Sequence, residues 1–473
     1  MQVLFVILCW LMARSIDALI VGGGPVGLAL AHGLRQRGVG VLVLERTLAT
    51  SHDWSTTYSY RIDQRGIALL RTCGLLPELE EKGVPSTGFD LTTWFPDGTS
   101  KEVVNARASM ALGYWIQRPA LLALLAESLR DEMLEGELTS LTFDAGLATA
   151  QVQIGDEVLR VTSRFVFGCD GAKSAVRAKL QAVSAECMAD FEPRVLDTPS
   201  SGLVYRAVLA TPPDEFHPHK IHRIAGKSGQ SVAMLPFSGA RGEPRPLSFA
   251  RTADSILHNL ATPDAVYAYL DEEFPQLEAR KRLSFAAASA WCSSPGSTFP
   301  RARWCNRASV VVSGVGAALL GDSLHSFPPD LGQGVNSGFT DVAALLECWP
   351  SDHADPAAVQ RCFEAFNIRQ APEAEAICRL LPVGMPYQYN VGKTFAEYLF
   401  LAGLLGRMFI HKLCPLIFDP PVVTLVTQAP PLKYTECFAR HRRNDQRIVL
   451  SLGLGLAMCL LSTWRFSARR RNT

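Results

Sequence analysis

Asp17-Ala-Leu-Ile-Val-Gly-Gly-Gly-Pro-Val-Gly27 is the stretch that decides how this chain folds. Asp17 to Val21 reads as a short buried strand, and Gly22-Gly-Gly24-Pro25-Val26-Gly27 follows it in the pattern G-x-G-x-x-G. Val26, Leu30 and Leu34 then fall at i, i+4 and i+8, one apolar stripe of a helix. Each glycine has a physical reason. Gly22 permits the tight turn, Gly24 lets the backbone approach a pyrophosphate, and Gly27 lets helix and strand pack closely. The helix then presents its N-terminus, the positive end of its dipole, to the phosphates.

Moving outward, Gly40-Val-Leu-Val-Leu44 reads as the second strand, and Glu45 ends it, followed by Arg46. A carboxylate at that distance takes the ribose hydroxyls of an adenosine. It would repel a 2′-phosphate, so the loop suits FAD or NAD rather than NADP, and FAD is the expected occupant. Strand, loop, helix, strand and acid in this order carry far more information than the glycines alone. They predict an α/β protein with a Rossmann-like FAD-binding domain.

Two later blocks share this character. Phe165-Val-Phe-Gly-Cys-Asp170-Gly171-Ala-Lys-Ser174 reads as a strand, a D-G turn and a helix start. Gly321-Asp322-Ser-Leu-His325-Ser-Phe-Pro328-Pro329-Asp-Leu-Gly332-Gln-Gly334-Val335-Asn336 reads as a strand end, a P-P turn and a glycine loop, with an apolar helix after it. Asp170 and Asp322 are candidate cofactor contacts, each with a plainer role as a turn former. His325 is more often a structural hydrogen bonder in such a turn than a catalyst.

Together the three blocks resemble the class A flavin monooxygenases, the para-hydroxybenzoate hydroxylase-like group, over roughly residues 16 to 350. The resemblance implies that the first block holds the ADP part of FAD and that Asp170 and Gly171 lie by the flavin and NADPH. It implies that Asp322 accepts from the ribityl hydroxyls, and that Arg118 starts a helix near FAD, with Pro119 a good first helical residue. Pro328, Gly332, Gly334, Val335 and Asn336 would line the flavin, with the backbone N–H groups of the Gly332 to Asn336 loop facing its negative pyrimidine edge. The implied activity uses NADPH and O2 and puts one oxygen atom on an aromatic ring through a flavin hydroperoxide. In that chemistry the protein supplies shape, dryness and orientation.

Between about 190 and 300, β-like runs at Val204–Leu209, Ser231–Phe237 and Pro246–Arg251 and a helix over Pro263–Phe274 suit an inserted mixed β-sheet substrate domain. Trp291 and Phe327 are pocket linings or core. Residues 301–375 return to the FAD-binding domain begun at 16–190, and 376–447 read as a helical C-terminal region. That region, with Pro420-Pro-Val-Val, Leu432-Lys-Tyr434 and Arg440-His-Arg-Arg, is similar to the kynurenine 3-monooxygenases, and the likeness implies a substrate contact for Tyr434. Departures accompany it. Thr57-Tyr-Ser-Tyr-Arg-Ile-Asp-Gln-Arg65-Gly66 keeps only the final Arg-Gly of the family's early segment. No arginine stands near Ser86 to Phe89 to clamp an amino-acid carboxylate, and no asparagine near Gly384. The substrate is therefore left open between kynurenine and another aromatic or lipid molecule.

Residues 448–464 form an uncharged run with arginines on both sides, at the short limit for crossing a hydrocarbon core of about 30 Å. They predict a transmembrane tail helix, a mitochondrial outer membrane or endoplasmic reticulum location, and a cytosolic catalytic domain. Residues 1–15 form an apolar leader or anchor without the early basic residue of a secretory signal. Basic and acidic residues nearly cancel, 46 against 45, so nothing points to nucleic acid. The 12 cysteines include no C-x-x-C pair, which argues against a zinc site and for a reducing compartment. No G-x-S-x-G, H-E-x-x-H or Walker A pattern supports hydrolysis or phosphoryl transfer. Two other readings stay open: an epoxidase or reductase of an isoprenoid lipid, and a flavoprotein without turnover.

Overall fold

The computed structural model describes residues 16–48, 58–88, 90–103, 111–183, 190–389 and 394–451. The fold is built on a six-stranded sheet. In spatial order its strands are Ser309–Val312, Val315–Leu319, Phe165–Gly168, Ala18–Val21, Val41–Glu45 and Met133–Glu135. All neighbours run parallel except the hairpin of the first two. Ala18, Leu19 and Ile20 are fully buried, as a parallel strand covered on both faces must be.

The register decides where the chemistry goes. Val21 lies beside Gly168, and Gly168 beside Leu319. Three strands therefore end level with one another, each running directly into one of the three motif blocks. Segments separated by some 150 residues of chain thus open onto one crevice beyond the carboxyl ends of the strands, where such sheets bind ligands.

Helix Pro25–Arg35 packs on this sheet and against Gly334–Cys348. The approach is close: a Cβ on Gly33 would meet Leu346 at 2.2 Å. Val26 fits against Gly321 and Gly338, where added Cβ atoms would come within 2.9 and 2.5 Å of it. The first loop is thereby keyed into the third motif. Helix Pro356–Leu380 backs the sheet, with Phe363 and Phe366 in the main core.

A second sheet has seven strands in the order Ser297–Thr298, Val204–Ala210, Arg245–Arg251, Ser231–Met234, Ile221–Ala225, Leu91–Trp94 and Ser100–Val103. It is mixed: Ile221–Ala225 pairs parallel with Leu91–Trp94, and the other pairs are antiparallel. Residues 91–103 thus reach forward into a sheet made mostly by residues after 200. One face covers a second core of Leu247, Phe249, Leu270, Phe274 and Trp291 under helices Pro263–Glu273 and Phe285–Ser293. Trp291 is core, with the Arg206 guanidinium 4.0 Å above its ring.

The transmembrane tail and the localisation drawn from it require correction. Among the described residues no helix is long and apolar enough to cross a membrane. Residues 434–451 are helical, but this helix starts in the main core at Tyr434 and Cys437 and carries Arg440, Arg442, Arg443 and Arg447. The helix is packed into the fold through His441 and Asn444, and beyond them Val449 and Leu450 are exposed. Of the run 448–464, residues 452–464 lie outside the described residues, as does the leader 1–15.

Candidate functional site

The first loop is shaped as its sequence requires. Gly22 adopts φ +112°, and a Cβ there would strike the Cys169 carbonyl at 2.2 Å. A Cβ on Gly27 would lie 2.0 Å from the Gly22 oxygen. Gly24 differs from both. Its backbone is ordinary extended chain and an added Cβ would meet nothing within 4 Å. That open space at a helix N-terminus has the shape and polarity that a pyrophosphate requires. Glu45 sits at the mouth, its Oε2 accepting from Gly23 N at 2.6 Å and its Oε1 from Thr47 N at 3.3 Å. Arg46 follows, exposed.

Asp170 is committed to structure. One oxygen accepts from Ala175 N and Val176 N at 2.6 and 3.2 Å, capping helix Ala175–Ala182, and the other accepts from Ser323 Oγ at 3.1 Å. Gly171 N donates to the same Ser323 hydroxyl at 3.1 Å. The D-G turn therefore fixes the residue next to Asp322. Asp322 itself is exposed by surface area, yet burial pushes its carboxyl pKa up, opposed by His325. Its side chain makes no part of the turn's own hydrogen bonding, which Asp341 and Asp170 supply.

Beneath it lies a network the sequence does not announce. The Asp341 carboxylate accepts from Gly321 N at 2.8 Å and from Gln370 Nε2 at 2.6 Å, and it pairs with His325 Nε2 at 2.8 Å. Burial alone would lower the His325 pKa, but the Asp341 and Asp322 carboxylates outweigh it and the value rises above 6.5. A raised histidine contributes stability that is complete below about pH 6.5 and lost as pH climbs through the folded-state pKa. Replacing Asp341 by Asn is expected to cost about 3–5 kcal/mol, because it strands buried polar partners. It should also flatten the fall in stability above pH 6.5. Denaturant titrations from pH 6 upward check this; an unchanged midpoint and slope would contradict it.

The flavin-side loop is held from behind. Gly332 takes φ +62° and ends the turn Pro329–Leu331 that follows Pro328. Helix Gly334–Cys348 then begins, leaving the first-turn N–H groups of Gly334, Val335 and Asn336 without intrahelical partners. Added Cβ atoms on Gly332 and Gly334 meet nothing within 4 Å. The Asn336 side chain is used structurally: its Oδ1 accepts from Asp63 N at 3.0 Å and its Nδ2 donates to Arg61 O at 2.8 Å.

Tyr434 is almost fully buried, with its hydroxyl donating to Gln333 Oε1 at 2.8 Å and its backbone N–H to Glu373 at 2.7 Å. Arg65 stacks 4.7 Å over its ring and donates to Val426 O, Leu432 O and Asp63. The Arg-Gly of the early segment therefore clamps the C-terminal part onto the flavin-side loop.

Arg118 begins helix Arg118–Ala126, and its N–H donates to Tyr58 O at 3.0 Å. Tyr58 and Tyr60 stand over this point, hydroxyls 3.1 Å apart. Burial raises both pKa values, that of Tyr60 strongly, and both feel Arg118 and Asp322. From Tyr58 a line of rings runs on: Tyr205 at 6.2 Å, Phe299 a further 6.0 Å, Tyr389 a further 5.2 Å. Tyr205 projects from the seven-stranded sheet, its hydroxyl 3.0 Å from Ser248 Oγ. Sequence reasoning missed these tyrosines; the one available signal was the Tyr-Ser-Tyr at 58–60 just before Arg65-Gly66.

The residues present thus fit FAD: an open cradle at Gly24, a carboxylate at Glu45 against the first loop, a carboxylate at Asp322 on the third and a helix N-terminus at Gly334. Comparisons with known proteins agree. The family described as FAD binding domain matches residues 15–244. The chain is 24% identical to a kynurenine 3-monooxygenase of Candida albicans, over 92% of this chain and 93% of that one. It is 25% identical to a kynurenine 3-monooxygenase of Salinispora arenicola, over 94% and 95%. Its fold matches that of Klebsiella pneumoniae HpxO complexed with FAD and uric acid, at a TM-score of 0.61 and 17% identity, over 85% of this chain and 96% of that one. With its three motif loops gathered on one crevice and its likeness to these enzymes running nearly end to end, the chain is an FAD-dependent monooxygenase similar to the kynurenine 3-monooxygenases.

Proposed function

We propose that the chain hydroxylates an electron-rich aromatic ring, using NADPH as the electron source: ring, O2, NADPH and a proton give hydroxylated ring, water and NADP+. The observation that carries this reading is the aromatic wall from Tyr60 to Tyr389, which leads from the Asp322 turn along the face of the second sheet. Aromatic side chains set edge or face to one another offer planar, apolar contact to a planar substrate. Bound FAD supplies the redox chemistry, accepting a hydride and activating O2 for transfer of one oxygen atom. The chain's own contribution is placement. Asp322 would accept ribityl hydroxyls, and the N–H groups from Gly334 to Asn336 would face developing negative charge. Tyr58, Tyr60 and Tyr205 would keep the ring side dry. Glu45 would reject a 2′-phosphate, so NADPH would act from outside the first loop. Tyr434 would hold Gln333, and through it the loop, in place.

Similarity to kynurenine 3-monooxygenases makes L-kynurenine the first substrate to try, and the missing carboxylate donors make simpler arylamines the second. The test is NADPH oxidation by the FAD-loaded chain with and without each ring, with the product's mass measured alongside. A several-fold stimulation and a product heavier by one oxygen are expected. Equal rates with every ring would sink the proposal.

A further inference from the structure

A second hollow lies apart from the cofactor crevice. It has a volume of about 450 Å³ and opens between strands Pro193–Leu196 and Ala302–Cys305 and one face of helix Pro356–Leu380. Small-molecule sites commonly measure about 300–1,000 Å³, so the space admits a molecule of two fused rings. None of its lining residues belongs to the three motif blocks or to the tyrosine wall.

The lining follows from two regular elements. The two strands pair antiparallel with Arg194 directly opposite Trp304, so both side chains stand on the same side of their small sheet. On the helix, Pro372, Glu375 and Arg379 fall at i, i+3 and i+7 and share one face. The Arg379 guanidinium lies 5.5 Å over the Trp304 ring, and its Nε donates to Glu375 Oε1 at 2.6 Å. Among the described residues its two Nη groups have no acceptor. Arg194 uses only one Nη, on Asp190 Oδ2 at 3.2 Å. The Asn306 amide N–H groups, at the same hollow, have no acceptor among the described residues either. The Arg194 and Arg379 side chains are 52% and 48% exposed, so a solute can reach them.

This lining selects an occupant by its chemistry. Two guanidinium groups with unspent N–H bonds and one unspent amide are donors that lack acceptors. A carboxylate is the planar acceptor that a guanidinium fork fits. Trp304 and Pro372 supply apolar surface beside these donors, which suits a flat ring. Glu375, already holding Arg379 Nε, sets a negative charge at the same place and so disfavours an anion of higher charge, such as phosphate.

We propose that this hollow is a second binding site, for a small aromatic carboxylate whose carboxyl group is held by Arg194 and Arg379 and whose ring lies over Trp304 and Pro372. The site is separate from the place of oxygen transfer, so its failure would leave the aromatic-hydroxylase reading standing.

The test uses the full-length, FAD-loaded chain and three probes: 2-naphthoate, 2-naphthamide and inorganic phosphate. Titration calorimetry gives affinity and stoichiometry, and the spectrum of the bound flavin reports occupancy of the cofactor crevice. The wild type is expected to bind one 2-naphthoate without a change in the flavin spectrum, and to bind the amide and phosphate at least about tenfold more weakly. Arg194→Gln and Arg379→Gln, both at half-exposed positions, should each weaken 2-naphthoate by about tenfold, or about 1.4 kcal/mol. Both variants should keep the wild-type FAD content and melting temperature. No binding of 2-naphthoate, equal affinity for the amide or for phosphate, or an affinity that either arginine variant leaves unchanged would overturn the proposal. So would a flavin spectrum that shifts in proportion to the 2-naphthoate bound, which would put the ligand in the cofactor crevice.

Discussion

Asp322→Ala is expected to be purified folded but largely without flavin, and to oxidise NADPH no faster than the buffer does. Its carboxyl lies at the end of the third motif strand, and burial raises its pKa against the pull of His325. Ribityl hydroxyls would supply it with donors. Hydrogen bonds to a charged group are worth about 1.5–3 kcal/mol each, so losing one or two weakens FAD by about ten- to a hundredfold or more. Asp322→Asn, which keeps an acceptor oxygen, should fall between. The fold should survive, because the turn is held by Asp341 on Gly321 N and by Asp170 on Ser323 rather than by Asp322 itself. Equilibrium dialysis of FAD against the apo-protein gives the affinities, and circular dichroism the fold. Full flavin occupancy in Asp322→Ala would remove Asp322 from the cofactor site.

The second large effect separates binding from folding within one loop. Gly24→Ala places a methyl group where the protein has no atom within 4 Å, on a backbone at φ −73° and ψ 177° that any residue adopts. The apo-protein should melt as the wild type does. The methyl would instead collide with the pyrophosphate, and overpacking of that kind costs about 1–3 kcal/mol, so FAD affinity should drop by about ten- to a hundredfold. Gly27→Ala should behave in the opposite way. Its Cβ would lie 2.0 Å from the Gly22 oxygen, so helix and strand must move apart and the apo-protein itself should lose stability. Thermal melts of both apo-proteins, with FAD titrations, give the contrast. An apo-protein of Gly24→Ala as unstable as that of Gly27→Ala would mean that the loop's glycines serve packing alone.

The parts of this site that were legible in the chain are those where backbone geometry forces a residue type. Gly22, Gly27 and Glu45 stand where the strand, loop, helix and acid order puts them, and the three motif blocks do end on one crevice. What stayed hidden depends on partners far away in sequence. Asp341 matters because Gly321, His325 and Gln370 converge on it, and no local pattern marks that. Arg65 resembled a family signature, but its work of gripping Val426 and Leu432 needs a segment over 360 residues later. Strand Ser100–Val103 is exposed along its whole length, so it carries no apolar alternation for the eye to catch. Asp170 was a candidate cofactor contact on its motif, and the structure shows its oxygens used on a helix cap and on Ser323. The tail misled because an apolar run was weighed by itself, while the helix leading into it is seated in the core through Tyr434 and Cys437.

The most direct test of the whole account is a turnover under isotopically labelled dioxygen. The FAD-loaded chain would be supplied with NADPH, an arylamine ring and 18O2, and the product read by mass spectrometry. The account predicts a ring product carrying one 18O atom, formed in proportion to NADPH consumed. Oxygen that ends wholly as hydrogen peroxide with every ring, or a product whose new oxygen comes from water, would contradict it.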